Sequence, residues 1–182
     1  MEKGEKEKFC LWLTGLPCAG KTTLGNLLKK ELEKRGNGTI VFVDNDEFRK
    51  KYCRDLRFGR RDRAKNIRRA TDFINSLVGA GASVIAAFVS PYKSIRNEAR
   101  ERIGKNARFI EVYLNCSIKE CVKRDVKGMY ERAIWGQIAN FTGISDPYEE
   151  PENPDIIINT EKEPPERSAA RIISFLEKNN LI

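Results

Sequence analysis

Five stretches of the chain are almost continuously apolar and rich in β-branched residues: Phe9 to Leu13, Thr39 to Val43, Ala82 to Val89, Ala107 to Leu114 and Asp155 to Ile158. Runs this short, bounded by glycine, aspartate or other polar residues, predict strands buried on both faces. Between them the apolar positions change rhythm and recur at three and four. Leu24, Leu27, Leu28 and Leu32 do so between Thr22 and Lys34, and Ile67, Ala70, Phe73, Ile74 and Leu77 do so from about Arg61 to Gly79. Further helices are expected at Tyr92 to Ile103, Ser117 to Arg124 and Pro165 to Lys178, with Ser117 and Glu120 spaced as a capping box. The polar segment after Val43 is expected to hold two short helices. This alternation predicts an α/β architecture: a five-stranded parallel sheet with helices on both faces, in three layers.

One stretch breaks the alternation. Gly128 to Asn153 carries Tyr130, Trp135, Phe141 and Tyr148 and ends in a run rich in proline and glutamate. A disordered insertion would be poorer in aromatics, so the excursion, about 125–153 in all, reads as a lid. Residues 9–182 are therefore expected to form a single domain that includes this lid, with the charged residues 1–8 as a flexible tail.

The first strand runs into Gly15-Leu16-Pro17-Cys18-Ala19-Gly20-Lys21-Thr22, which fits G-x-x-x-x-G-K-[ST] and opens a helix. That setting is the one in which the pattern cradles phosphate, through backbone N–H groups and a helix N-terminus. Lys21 would reach the β- and γ-phosphates and the Thr22 hydroxyl would ligate Mg²⁺, with Thr23 continuing the site. A nucleoside triphosphate is the implied ligand, and a three-layer P-loop kinase fold the implied frame. The competing reading is a glycine-rich turn with an exposed lysine.

Composition removes several alternatives. No stretch approaches the length of a membrane span, and the N-terminus lacks an apolar signal region, so a cytoplasmic protein without membrane contact is expected. The five cysteines, at 10, 18, 53, 116 and 121, suit reduced thiols better than a disulfide framework. The absence of histidine makes structural zinc improbable and removes the commonest general base, leaving carboxylates, lysine or solvent. The net charge of +8 fits a polyanionic small molecule as well as a nucleic acid, and because the basic residues are spread along the chain no nucleic-acid partner is expected.

In a doubly wound sheet the site lies outside the carboxyl ends of the strands. Asp44 and Asp46 fall there after the second strand, and Val89 and Ser90 after the third. The third strand ends without an aspartate, which argues against a motor or switch ATPase and shifts metal and base duties toward Asp44 and Asp46. Either aspartate could instead cap the next helix. Arg49, Arg63, Arg68 and Arg69 are fork-shaped donors for phosphate or sulfate oxygens, and Phe58 and Phe141 could sandwich a flat base. Taken singly, the arginines read better as a solvated helix face and the phenylalanines as core, so the spacing has to be judged as a set.

As a set, the stretches Gly15 to Thr23, Asp44 to Arg49, Asp55 to Phe58, Asp62-Arg63 with Asn66 to Arg69, Phe88 to Tyr92, Arg124 to Gly128, and Phe141 to Ile144 with Pro147 to Pro151 resemble the adenylylsulfate kinase family from Phe9 to Thr160. The resemblance implies transfer of the ATP γ-phosphoryl group to the 3′-hydroxyl of adenosine 5′-phosphosulfate, with Mg²⁺ and a homodimer. It implies Asp44 as base, Lys21 and Lys127 offsetting phosphoryl charge, and Arg124 against the ATP adenine. Asp46, Arg49, Arg63 and Asn66 would hold the phosphosulfate nucleotide, with Phe58 and Phe141 stacking its adenine. Ser90 matches a serine proposed in the family as a phosphoryl carrier, but direct transfer needs none, so Ser90 and Val89 are assigned backbone contacts to substrate. Asn45, Pro17, Cys18, Val126, Trp135 and Gln137 depart from the usual family residues. A different nucleotide acceptor, or a non-catalytic binder of nucleotides or nucleic acid, remain as alternatives.

Overall fold

The computed structural model describes residues 6–182. The expected tail therefore lies mostly outside the described residues, and its last member, Lys8, is already tied in, accepting from the Arg108 N–H at 2.8 Å. The strands are β1 (Phe9–Thr14), β2 (Ile40–Asp44), β3 (Ser83–Ala87), β4 (Arg108–Asn115) and β5 (Ile156–Asn159). They form one sheet in the order β2-β3-β1-β4-β5, every neighbouring pair parallel. Between them run α1 (Lys21–Lys34), α2 (Asn45–Tyr52), α3 (Arg60–Gly79), α4 (Lys93–Ile103), α5 (Ile118–Lys123), α6 (Met129–Ile134) and α7 (Pro165–Lys178).

Alternate residues of β1 supply the two cores. Phe9, Leu11 and Leu13 meet Leu24, Leu28 and Leu32 of α1 and Ile172, Ile173 and Leu176 of α7. Cys10 and Trp12 meet Ile67, Ala70 and Ile74 of α3 and Ile95, Ala99 and Ile103 of α4. Each such aliphatic side chain contributes roughly 1.5–3 kcal/mol by leaving water, which explains why the period-three-and-four stripes sit where they do. β1 lies in the middle of the sheet, so the loop that follows it emerges between the two helical layers.

Two local expectations need correction. The segment after β2 forms a single helix, α2, followed by a turn, because Asp55 is drawn out to accept both Arg69 Nη atoms, at 2.6 and 2.9 Å. The capping box at Ser117 is only half made. Its hydroxyl accepts from Glu120 N–H at 3.2 Å, but the Glu120 carboxylate pairs with Lys123 and Arg124, and the Ser117 N–H goes to Glu161.

Candidate active site

The loop between β1 and α1 turns at Gly15, whose φ of +151° is within the range that glycine favours; a Cβ there would sit 2.6 Å from the Leu114 carbonyl oxygen. Gly20, in the left-handed region, then starts α1 with no side-chain cap. The first-turn N–H groups of α1 are thus left for an anion. Lys21 is buried, and its ammonium donates to the Gly15 and Leu16 carbonyls at 2.9 and 2.7 Å. Burial pushes its pKa down to about 8. A desolvated cation so close to neutrality favours any ligand that brings negative charge.

Thr22 and Asp44 meet beside it. The Thr22 hydroxyl donates to Asp44 Oδ2 at 2.7 Å, while Asp44 Oδ1 accepts from the Asp46 N–H at 2.8 Å and caps α2. Capping and site geometry, alternatives in the sequence, are both met by the two oxygens of one carboxylate. Asp46 turns away to Lys127, 3.0 Å distant across an exposed ion pair that joins α2 to the start of the excursion. That contact holds the Lys127 pKa above the ordinary lysine value.

Two cavities open on either side of this loop. The first, about 470 Å³, is lined by Gly20, Thr23, Arg124, Thr160 and Glu163 among others. Arg124 is fixed along its rim, donating to the Thr160 carbonyl at 2.8 Å and to Glu120 at 3.1 Å, so its guanidinium offers a flat face suited to an aromatic base. The second, about 460 Å³, is lined by Asp44, Asp46, Arg49, Phe58, Arg63, Asn66, Val89, Ser90, Lys127 and Phe141 among others. Cys18, Lys21, Thr22 and Val126 line both.

Within the second cavity Phe58 is 50 % exposed and carries the Arg49 guanidinium 4.6 Å from its ring centroid, and Phe141, nearly buried, packs edge-on against Tyr130. Arg49 and Arg63 are held by backbone oxygens. Arg49 donates to Leu56 and Arg57, and Arg63 to Phe58 at 2.8 Å and Asn140 at 2.6 Å. Desolvation lowers the Arg63 pKa, with Asp146 opposing it 3.7 Å away. Arg68 and Arg69 are not part of this group. They pair with Glu98 and Asp55 on the outer face of α3, where charge pattern alone could not distinguish them from Arg63.

Ser90 sits at a φ of +39°, strained for a residue with a Cβ. Its carbonyl is held by the buried Arg96 at 2.8 Å, and its hydroxyl accepts from Trp12 Nε1 and donates to Thr14, both partners lying inside the protein. The end of the excursion is fastened to the same body. Tyr92 donates to Asp146 at 2.8 Å, Tyr148 reaches Thr14 at 2.9 Å, and Arg96 donates to the Glu149 carbonyl at 2.6 Å. Gly143, at φ +92°, lets this arm pass Leu16, which a Cβ would approach to 2.9 Å. Sequence reasoning passed over Asp146, Arg96 and Asn140; the contacts that tie each of them to the other side of the site, to Tyr92, Glu149 and Arg63, span 53 to 77 positions, beyond the reach of any local pattern.

Among the described residues no group of three or more cysteine, aspartate or glutamate side chains is gathered to hold a metal ion, and no helix is long and apolar enough to cross a membrane. All five cysteines are free thiols.

The family model described as adenylylsulphate kinase matches residues 7–159. An adenylyl-sulfate kinase of Thermodesulfovibrio yellowstonii is 45% identical over 171 residues, spanning 94% of this chain and 84% of its own. One from Staphylococcus epidermidis is 44% identical over 180 residues, spanning 99% and 89%. The APS kinase CysC of Mycobacterium tuberculosis, solved in complex with AMPPNP and APS, superposes with a TM-score of 0.90 at 32% identity, covering 94% of this chain and 99% of that one.

Proposed function

The chain belongs to the adenylylsulphate kinase family, and from that premise we propose how its residues transfer the ATP γ-phosphate to the 3′-hydroxyl of adenosine 5′-phosphosulfate, giving 3′-phosphoadenosine 5′-phosphosulfate and ADP. The observation that carries the reading is the shared wall: two cavities of similar volume meet at Lys21 and Thr22, with Asp44 facing the second. ATP occupies the cavity beside Arg124 and the phosphosulfate nucleotide the cavity beside Arg49, Arg63 and Phe58. A terminal phosphate on the loop then faces a sugar hydroxyl across the wall, which is the in-line arrangement that phosphoryl transfer requires.

Asp44 Oδ2, which holds the Thr22 hydroxyl in the free protein, accepts or polarises the 3′-hydroxyl proton. Lys21 leaves the Gly15 and Leu16 carbonyls for the phosphate oxygens, and Lys127 adds a second positive charge from the excursion. Val89 and Ser90 offer backbone groups to the substrate. The oxygen donors Thr22 and Asp44 suit Mg²⁺, which binds through few protein ligands together with phosphates and water. When bound, the ion would neutralise charge on the β- and γ-phosphates, and Thr22 is the residue that would hold it. The five free thiols support a cytoplasmic setting. The homodimer implied by the family resemblance belongs to the same reading, and light scattering of the purified chain checks it.

An ADP-coupled assay with a panel of nucleotide acceptors tests the whole reading. Rapid ADP release with adenosine 5′-phosphosulfate and little with AMP, GMP or adenosine is expected. Equal release with every acceptor, or none with any, would overturn it.

The depressed pKa of Lys21 gives a second expectation. In the free enzyme Lys21 loses its proton near pH 8 rather than at the ordinary lysine value of 10.5. Between those limits the unfolded chain holds more protons than the folded one, so this residue makes stability rise with pH across that window. A triphosphate restores the charge, so ATP binding at pH 8.5 should take up about three-quarters of a proton. Calorimetric titration at pH 8.5 in two buffers of different ionisation enthalpy reads this directly; identical heats in both would show that Lys21 does not titrate there.

A further inference from the structure

Most buried polar side chains in this protein have partners, and two of the exceptions lie in one place. Asn66 Oδ1 and Thr142 Oγ1 are buried atoms with no hydrogen-bond partner, on residues only 4 % and 1 % exposed, and both residues line the cavity that also holds Arg63, Phe58 and Phe141. A buried hydroxyl or amide oxygen left unpaired is destabilising. Valine fills the same volume as threonine without that penalty. The free protein therefore gains nothing from the Thr142 hydroxyl.

We propose that Thr142 is a binding residue for the phosphoryl acceptor, its hydroxyl and the Asn66 side-chain carbonyl forming a pair of hydrogen-bonding sites completed only when the nucleotide is bound. The proposal rests on the reading of this cavity as the acceptor's.

Both groups are held in place before the ligand arrives. Asn66 Nδ2 donates to Asn45 Oδ1 at 2.9 Å, which fixes the amide and leaves the carbonyl as the free end. Thr142 lies between Phe141 and the Gly143 turn that packs on Leu16. The arm around it is closed by the Ser145 and Asp146 N–H groups on the Phe141 carbonyl and by the Gly143 N–H on Asp146. Preorganised groups of this kind lose little freedom on binding. The chemistry also sorts the ligand's contacts. An amide carbonyl only accepts, and phosphate and sulfate oxygens at neutral pH also only accept, so Asn66 Oδ1 must meet an N–H or O–H of the nucleoside part, the purine amine or a ribose hydroxyl. The Thr142 hydroxyl can donate or accept and serves either part.

The test is initial-rate kinetics with both substrates varied, on Thr142→Val, Thr142→Ser and, as a reference for the cavity, Arg63→Ala. Thr142→Val should raise KM for adenosine 5′-phosphosulfate about 5- to 20-fold, in line with loss of one buried hydrogen bond. KM for ATP should stay within twofold and the melting temperature should be equal or higher. Thr142→Ser, which keeps the hydroxyl, should restore KM to within about threefold. An unchanged acceptor KM in Thr142→Val overturns the proposal, as does a loss that Thr142→Ser fails to rescue. Arg63→Ala separates the two levels: if it raises the acceptor KM while Thr142→Val is silent, Thr142 alone is wrong, and if both are silent the cavity assignment falls with it.

Discussion

Replacing Lys21 by alanine should reduce kcat by about 10³-fold or more while the protein melts within a few degrees of the parent. The size of the loss follows from what the residue does. Phosphoryl transfer is carried almost entirely by positioning and electrostatic stabilisation, and single preorganised charges or donors in such sites are worth factors of about 10² to 10⁵. Lys21 is the buried cation on the wall common to both cavities, so among the described residues no other cation stands in the same position. The small effect on folding follows from two opposed changes. The Gly15 and Leu16 carbonyls lose an ammonium donor, but they border a cavity that water can enter, and the desolvated charge that pushes the Lys21 pKa down is removed with it. The coupled ADP assay and a thermal melt check both halves. Turnover within tenfold of the parent would remove Lys21 from the chemistry.

Asp44→Asn is the cleaner of the two tests, because the replacement keeps the shape. Asparagine caps a helix as well as aspartate does, so the bond from the Asp46 N–H survives and α2 should be retained. The amide N–H₂ then takes the place of Oδ2 and donates to the Thr22 hydroxyl oxygen, reversing that bond without removing it. What disappears is the negative charge and the ability to take a proton. A general base contributes roughly 10²- to 10⁴-fold, and kcat should fall by that factor with an unchanged melting temperature. Asp44→Ala would fall as far and also lose roughly 0.5–2 kcal/mol of stability with the cap. If Asp44→Asn turns over normally, the carboxylate is a cap and a partner for Thr22 and nothing more.

The strands were legible because a parallel sheet covered on both faces turns each of them into an unbroken apolar run, and the nucleotide loop because its pattern sits between such a run and a helical stripe. α7 begins and ends at the residues its pattern marks, Pro165 and Lys178. The remainder was hidden for one physical reason: it depends on partners distant in the chain. Nothing near Arg68 or Arg69 says that they face Glu98 and Asp55 while Arg63, on the same helix, faces the cavity. Ser117 and Glu120 have the spacing of a reciprocal cap, yet Glu161, 44 residues on, takes the Ser117 N–H. Asp44 and Asp46 are two letters apart and look interchangeable. Their different fates, one at Thr22 and the other at Lys127, are decided by the end of β2 and the start of α2, where a single residue changes the direction of the side chain.

The excursion is fastened unequally at its two ends. Its far arm is riveted to Thr14, Tyr92 and Arg96 through Tyr148, Asp146 and Glu149, whereas its near end is held to α2 by an ion pair open to water on both sides, of a kind worth at most about 1 kcal/mol. Between the two ends the Tyr130 hydroxyl on the Pro17 carbonyl and Arg63 on the Asn140 carbonyl tie the middle of the excursion to the body, so if any part of it yields to let a nucleotide pass, the Lys127 end is the one expected to part at least cost.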